Sequence, residues 1–209
     1  MSAQEHLESI VDAERALRAA EAKLMAEPPE AIEATLSAAV AEARELSDRP
    51  EACLRLERLA DLCAQLPGPA MADALIAILD APEPQVRVVA GEALLDVAYD
   101  YYAEVARAIE RALDEGAAVR ALSELPFLLV EVGEPSAPKL LKRFLQHPSG
   151  QVVAAAIEAA VELADPALAP ALAALAGDTR DASLDEFEGP ITVGDLAEHA
   201  RQALSVEEP

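Results

Sequence analysis

The sequence predicts an all-α fold, an α-solenoid of about five helix pairs with an N-terminal capping helix. The segment 78–98 recurs in outline at 144–164, 66 residues later, which corresponds to two units of about 33 residues. Self-similarity at this period is typical of solenoids, because each unit buries its apolar face only by stacking on its neighbours. Aromatic residues make up 3% of the chain, and the dominant Ala and Leu suit closely stacked helices.

The predicted N-terminal capping helix covers 2–25, within a segment that spans 1–28. Its apolar side chains lie near one side of the helix, and Pro28 and Pro29 end it. These side chains are Leu7, Ile10, Val11, Leu17 and Leu24.

Five helix pairs follow, and Pro or Gly marks most of their turns. They are predicted at 29–66, 69–98, 101–132, 135–164 and 166–204, within one domain that spans 1–209. The second helix of the third pair contains Pro126, which we expect to bend it because proline removes a backbone donor. In the fifth pair the turn has grown into the loop 177–190, after which Thr192 and Asp195 form a capping-box pattern.

The second pair carries a family resemblance. Its residues are Leu79-Asp80, Val86-Arg87, Ala90 and Ala93-Leu94. They resemble the signature of HEAT repeats, in the short bacterial form called PBS-lyase-like, and the resemblance covers about residues 69–204. It implies an armadillo/HEAT-like superhelix whose second helices line a concave surface. Gln146 and Val153 stand where the family has Asp and Arg, so we expect the family's ladder of turn hydrogen bonds to be interrupted in the fourth pair.

The charge of the chain limits its partners. The formal net charge is -23, and the acidic residues are spread evenly along the chain. Such a surface repels phosphate backbones and anionic lipid, so we expect no nucleic-acid partner and no membrane partner. It favours a basic protein partner, although the same charge also serves simply to keep an Ala-rich protein soluble.

The N-terminal residues predict a cytoplasmic protein. They show no basic region leading into an apolar one, and no apolar run approaches the ~18 residues of a membrane span. Arg outnumbers Lys by 13 to 3, which together with the abundant Ala suggests a GC-rich bacterial genome.

Cysteines and histidines give no sign of a metal or redox site. Cys53 and Cys63 would lie on one helix and point in different directions, so they cannot pair within it. No His stands at ligand spacing near them, and we expect two buried, inert thiols. His6, His147 and His199 show no ligand spacing, and we expect each at the surface.

Catalytic motifs are absent from the sequence. It contains no H-E-x-x-H, no G-x-S-x-G and no phosphate-binding Gly-rich loop. We therefore predict that the chain is not an enzyme, with no catalytic residue, no metal and no cofactor.

One acidic arrangement repeats with the helix pairs. Glu92 and Asp96 lie four residues apart on a second helix, and Glu158 and Glu162 take the matching positions two units later. With Glu131 between them they predict a negative stripe along the groove, which Glu198 extends. The alternative is a row of solvated helix faces. Like charges at this spacing cost a few tenths of a kcal/mol, which hints at a use that offsets the cost.

Aromatic residues mark two further candidate contacts. Tyr99, Tyr101 and Tyr102 are all the tyrosines of the chain, and tyrosine is enriched at interface hot spots. The alternative is that they fasten the turn between repeats. In the acidic loop 177–190, Phe187 is the candidate contact; calcium is the weaker alternative, because the spacing is not that of an EF-hand.

Together these observations predict a non-catalytic HEAT-repeat scaffold or adaptor, a monomer or weak homodimer, that binds a basic protein partner through an acidic concave surface. One alternative is an immunity or inhibitor protein that neutralises a basic toxin. Others are a structural subunit that dimerises and, from the family resemblance, a PBS-lyase-like protein that handles bilin chromophores. The predicted partner-binding residues are Glu92, Asp96, Tyr99, Tyr101, Tyr102, Glu131, Glu158, Glu162 and Phe187.

Overall fold

The computed structural model describes residues 2–116, 118–182 and 191–206. These residues form helices and turns, with a single isolated β-bridge between Asp181 and Thr192. The all-α prediction is therefore confirmed.

The helices begin and end close to the Pro and Gly residues of the sequence. Their bounds are α1 Ala3–Leu24, α2 Pro29–Glu45, α3 Arg49–Ala64, α4 Pro69–Leu79, α5 Pro84–Glu115, α6 Val119–Val132, α7 Ala137–Phe144, α8 Gly150–Leu163, α9 Ala169–Ala173 and α10 Val193–Val206. A proline occupies one of the first two positions of α2, α3, α4, α5, α7 and α9, where its fixed φ fits and no donor is lost. Gly116 and Gly133 end α5 and α6 with φ of 64° and 68°, the left-handed conformation that glycine adopts without strain.

The helices pack in pairs and also on the equivalent helices of the next pair. Within pairs, α2 contacts α3, α4 contacts α5, α7 contacts α8 and α9 contacts α10. Between pairs, α3 contacts α5, α5 contacts α6, α6 contacts α8 and α8 contacts α10. We call the series formed by α3, the first half of α5, α6, α8 and α10 the second-helix row.

The junction between the second and third pairs differs from the expected turn. A single helix runs from Pro84 to Glu115, and its only non-helical residue is Tyr101, with φ of -133° and ψ of 43°. The second helix of one pair thus continues through a kink into the first helix of the next. Helix α6 continues through Pro126, which is buried.

The start of α6 is capped by a side chain from the preceding pair. Asp80 Oδ1 accepts hydrogen bonds from the backbone N–H groups of Arg120 at 3.1 Å and Ala121 at 3.4 Å. These are the second and third residues of α6, whose own cap residue, Ala118, offers no side-chain acceptor. A carboxylate here satisfies orphan donors and complements the positive end of the helix dipole. Arg87 donates hydrogen bonds to the carbonyl oxygens of Ala81 and Pro82, and so stabilises the turn between α4 and α5.

The turn between α7 and α8 is stabilised by Arg180. Arg180 Nη1 donates to the carbonyl oxygens of His147 at 2.5 Å and Pro148 at 3.0 Å, and its guanidinium is ion-paired with Asp178 at 2.6 Å. A Cβ at Gly150 would lie 2.0 Å from the carbonyl oxygen of Asp181, so only glycine fits this approach. The turn between α7 and α8 is thus bonded by residues that follow α9 in the chain.

The prediction that His147 lies at the surface is wrong. Its relative exposure is 4%, because the fifth pair covers the turn that carries it. Nδ1 accepts a hydrogen bond from the backbone N–H of Ser149 at 3.1 Å. Burial lowers the pKa of His147, and the positive charge of Arg180 lowers it further.

Two other expectations meet a mixed result. Cys63 is buried, and desolvation raises the pKa of its thiol to about 12, whereas Cys53 is only half-buried.

In α1 no residue is buried, and Leu7 and Ile10 are 62% and 66% exposed. Only Leu24, near its C-terminal end, packs against the core. The apolar side of α1 is therefore largely uncovered within the described residues.

Replacing Asp80 by Ala should destabilise the protein by about 1 to 2 kcal/mol, because two N–H groups of α6 lose their acceptor. Chemical denaturation of wild type and variant measures this change. Asp100→Ala is the control, since it removes a carboxylate of the same size from an exposed position within α5. Equal effects of the two substitutions would mean that Asp80 does not cap α6.

Lowering the pH below 6.5 should destabilise the wild type more than the variant His147→Asn. The pKa of His147 is lowered in the folded state, so its contribution is fully present above the unfolded value of 6.5 and is lost as pH falls from there towards the folded value. Asn keeps an acceptor for the Ser149 N–H and does not titrate. Unfolding free energies measured between pH 7.5 and pH 5 should diverge by at most about 1.4 kcal/mol per pH unit, and parallel curves would contradict the assignment.

Candidate functional site

An open groove of about 440 Å³ lies between the first half of α5 and α6, and we call it groove A. From α5 it is lined by Val88, Gly91, Glu92 and Leu95. From α6 it is lined by Glu124, Phe127, Leu128 and Glu131. Both sets follow the spacing i, i+3, i+4 and i+7, so each helix contributes one continuous face. The groove therefore follows from the register of two neighbouring helices of the second-helix row.

The floor of groove A is apolar and partly open to solvent. Val88 is 59% exposed and Phe127 is 36% exposed, while Leu128 below them is buried. Gly91 contributes no side chain, and the nearest atom to a Cβ built there is Leu79 Cδ1 at 3.7 Å. A floor of this kind provides space for an incoming apolar side chain, which would remove Val88 and Phe127 from water.

Carboxylates stand on both walls of groove A. Glu92 comes from α5, and Glu124 and Glu131 come from α6. Arg87 is the basic residue of the lining, and its Nε lies 3.7 Å from Glu124 Oε1. The rim is thus predominantly negative around an apolar floor.

Tyr99 joins this rim. Its hydroxyl donates to Glu131 Oε1 at 3.4 Å. Desolvation raises the pKa of Tyr99, and the negative charges of Glu131 and Asp96 raise it further. Glu92 and Glu131 line groove A, and Tyr99 bonds to Glu131 at its rim. Three of the partner-binding residues predicted from the sequence therefore lie at this groove.

A second groove, of about 430 Å³, lies between α8 and α10, and we call it groove B. From α8 it is lined by Ile157, Glu158, Val161 and Glu162, and from α10 by Leu196, His199, Ala200 and Ala203. The α8 residues stand 66 positions after Gly91, Glu92, Leu95 and Asp96. The α10 residues stand 72 positions after the four α6 residues of groove A. Three of the four α8 positions and all four α10 positions thus have a counterpart in groove A, whereas Glu162 corresponds to Asp96, which does not line groove A.

The grooves differ in where their charge lies. Groove A has carboxylates on both walls, whereas groove B has Glu158 and Glu162 on the α8 wall and His199 on the opposite wall. Glu198, the suggested extension of the stripe, is exposed but is not part of the groove lining and bonds to Arg201 at 2.8 Å.

The remaining predicted residues lie away from the groove floors. Tyr101 forms the kink of α5 and is 44% exposed. Tyr102 is half-buried, and its hydroxyl accepts a hydrogen bond from Ser136 Oγ at 3.2 Å. The hydrogen bond between Ser136 and Tyr102 joins the start of α7 to α5. Burial raises the pKa of Tyr102. Phe187 lies outside the described residues.

The sequence did not point to the apolar floor, whose residues are Val88, Leu95, Phe127 and Leu128. One signal for it exists. Val88 lies off the buried stripe of Val86, Ala90 and Val97, so an apolar residue there is predicted to face solvent.

Within residues 2–116, 118–182 and 191–206 there is no group of three or more His, Cys, Asp or Glu side chains placed to hold a metal ion. Nor does any helix in this part of the chain have the length and apolar character needed to cross a membrane. No protein-family model matches the chain, and no match was found among curated proteins or solved structures. The function is therefore inferred from the two grooves.

Replacing Val88 by Ala should change the free energy of unfolding by less than about 0.5 kcal/mol, because Val88 is mostly exposed. Val86→Ala is the matched control on the same helix. Val86 is fully buried, so its truncation should cost about 2 kcal/mol. Urea denaturation of both variants measures the difference. A large loss at Val88 would mean that this side chain belongs to the core and not to an open groove.

Proposed function

We propose that this chain is a non-catalytic HEAT-like α-solenoid that binds a basic segment of a protein partner on its second-helix row. The observation that carries the proposal is groove A, an exposed apolar floor between two walls that both bear carboxylates.

Contacts between pairs support the solenoid part of the proposal. Several hydrogen bonds join residues that are 32 to 34 positions apart, close to the repeat of about 33. They are Arg49 to Glu83, Tyr99 to Glu131, Ser136 to Tyr102 and Arg180 to His147. An offset of about one unit is what stacking of successive units produces.

The charge of groove A supports a cationic partner. An anionic ligand placed between Glu92 and Glu131 would meet like charge on both walls, whereas Lys or Arg gains a favourable partner on each side. The net charge of -23 acts in the same direction at longer range, since it steers basic molecules towards the surface.

The form of the groove favours a protein segment as the ligand. Val88 and Phe127 lie on an open helical surface, and their burial needs apolar side chains brought in by the partner. Nucleic acid offers phosphate charge, which the carboxylates repel. An apolar side chain flanked by Lys or Arg combines the two properties that groove A complements.

Selection from a random peptide library displayed on phage, with the purified protein as bait, tests this function. The enriched peptides should carry an apolar side chain flanked by Lys or Arg. The double variant Glu92→Lys, Glu131→Lys should lose them, with at least a ten-fold drop in affinity for any peptide that is then synthesised, and the affinity should fall as salt is raised.

The matched control is the double variant Glu8→Lys, Glu27→Lys. It changes the net charge by the same amount on exposed positions at the N-terminal end of the chain. Its binding should remain within two-fold of wild type if groove A is the site. Enrichment of acidic peptides, or equal losses in the two double variants, would contradict the proposal.

A further inference from the structure

We infer that the bound segment is a basic amphipathic α-helix that lies across the second-helix row and places one apolar side chain in groove A and another in groove B. This inference rests on the proposed function and adds the conformation of the ligand and its two-point attachment. It commits to a helix as the occupant of both grooves.

The backbone of the groove walls favours a helical ligand over an extended one. The walls of both grooves are α-helices, whose interior N–H and C=O groups are already bonded within each helix. An extended segment laid on these apolar floors would find no sheet edge to pair with, and its own peptide groups would lose water without compensation. A helix satisfies its own backbone and presents only side chains.

The equivalence of the grooves supports attachment at both. Each lies between two neighbouring helices of the row, and seven of the eight lining positions of groove B have a counterpart in groove A, so we expect both to open on the same side of the row. The contacts give the order α5, α6, α8, α10, which places the grooves two helix spacings apart. At about 8 to 10 Å between neighbouring axes, the separation is about 16 to 20 Å.

This separation sets the spacing of the apolar side chains on the ligand. At 1.5 Å per residue, about 11 to 13 residues of helix span it. A spacing of about 11 residues corresponds to three full turns, so both apolar side chains point to the same face. The same distance in an extended chain would need only about 5 or 6 residues.

The distribution of carboxylates places the positive charge of the ligand. Glu124 and Glu131 stand on the α6 wall of groove A, and Glu158 and Glu162 stand on the α8 wall of groove B. Since α6 and α8 are neighbours, these four acids lie between the two apolar floors. The ligand is therefore expected to carry Lys or Arg between its two apolar side chains. Further Lys or Arg residues are expected on the other side of the apolar side chain in groove A, opposite Glu92.

Designed helical peptides of Ala, Lys and Leu test the inference by fluorescence anisotropy with the full chain. The two-anchor probe has Leu residues about 11 positions apart with Lys between them. One control probe replaces the second Leu by Ala, and another shifts it by two positions, off the common face. The two-anchor probe should bind at least ten-fold more tightly than both controls and should gain helical circular dichroism on binding.

Variants of the protein separate the two grooves. Glu158→Lys, Glu162→Lys should weaken the two-anchor probe about ten-fold and the single-anchor probe by a smaller factor, because the single-anchor probe keeps its Lys residues but places no Leu in groove B. Glu92→Lys, Glu131→Lys should weaken both probes. The control Glu8→Lys, Glu27→Lys should weaken neither.

The failure of this inference is distinguishable from failure of the proposed function. Equal affinities of two-anchor and single-anchor probes, both sensitive to the groove A variant, would overturn two-point attachment and leave groove A as a basic-segment site. Tighter binding of a probe that contains a central Pro, and so cannot form the helix, would overturn the helical ligand. Absence of binding by every basic probe would contradict both proposals.

Discussion

The structure depends on one interaction, which is the burial of apolar helix faces by more than one neighbouring helix. Small side chains allow this on α8, where every residue from Val152 to Ile157 is buried and the helix contacts α6, α7 and α10. The alanines of this segment let neighbouring helices come close, and close packing leaves little tolerance for change. One helix start, that of α6, is also stabilised by a residue from elsewhere in the chain, since Asp80 accepts from its backbone N–H groups.

Local sequence sets the positions of the helix ends, and these could be predicted. Proline at the start of a helix and glycine after its end act through backbone geometry alone, so they need no knowledge of the neighbours. The junction at Tyr101 was missed for a related reason. The repeat period suggested a boundary there, but no Pro or Gly interrupts the chain between Gly91 and Gly116, and the helix continues with a kink.

The charged part of the candidate site was visible in the sequence, while the apolar part was not. Glu92 and Glu158 could be found because they recur in register, and a repeated charge is conspicuous in an apolar helix. An apolar residue such as Phe127 fits the sequence pattern of a buried core and of an open groove equally well. Only the position of α5 relative to α6 decides which of the two it belongs to. His147 was misjudged similarly, because its burial depends on Arg180, which is 33 residues further along the chain.

The acidic rims also connect stability with binding. Like charges four residues apart on a helix cost a few tenths of a kcal/mol, and exposed apolar side chains such as Val88 add a solvation cost. Both costs fall on the free protein. A cation between the carboxylates removes the repulsion, and an apolar side chain on the floor removes the contact with water. In the proposed complex, part of the free energy of binding would thus be relief of unfavourable terms already present in the unbound chain.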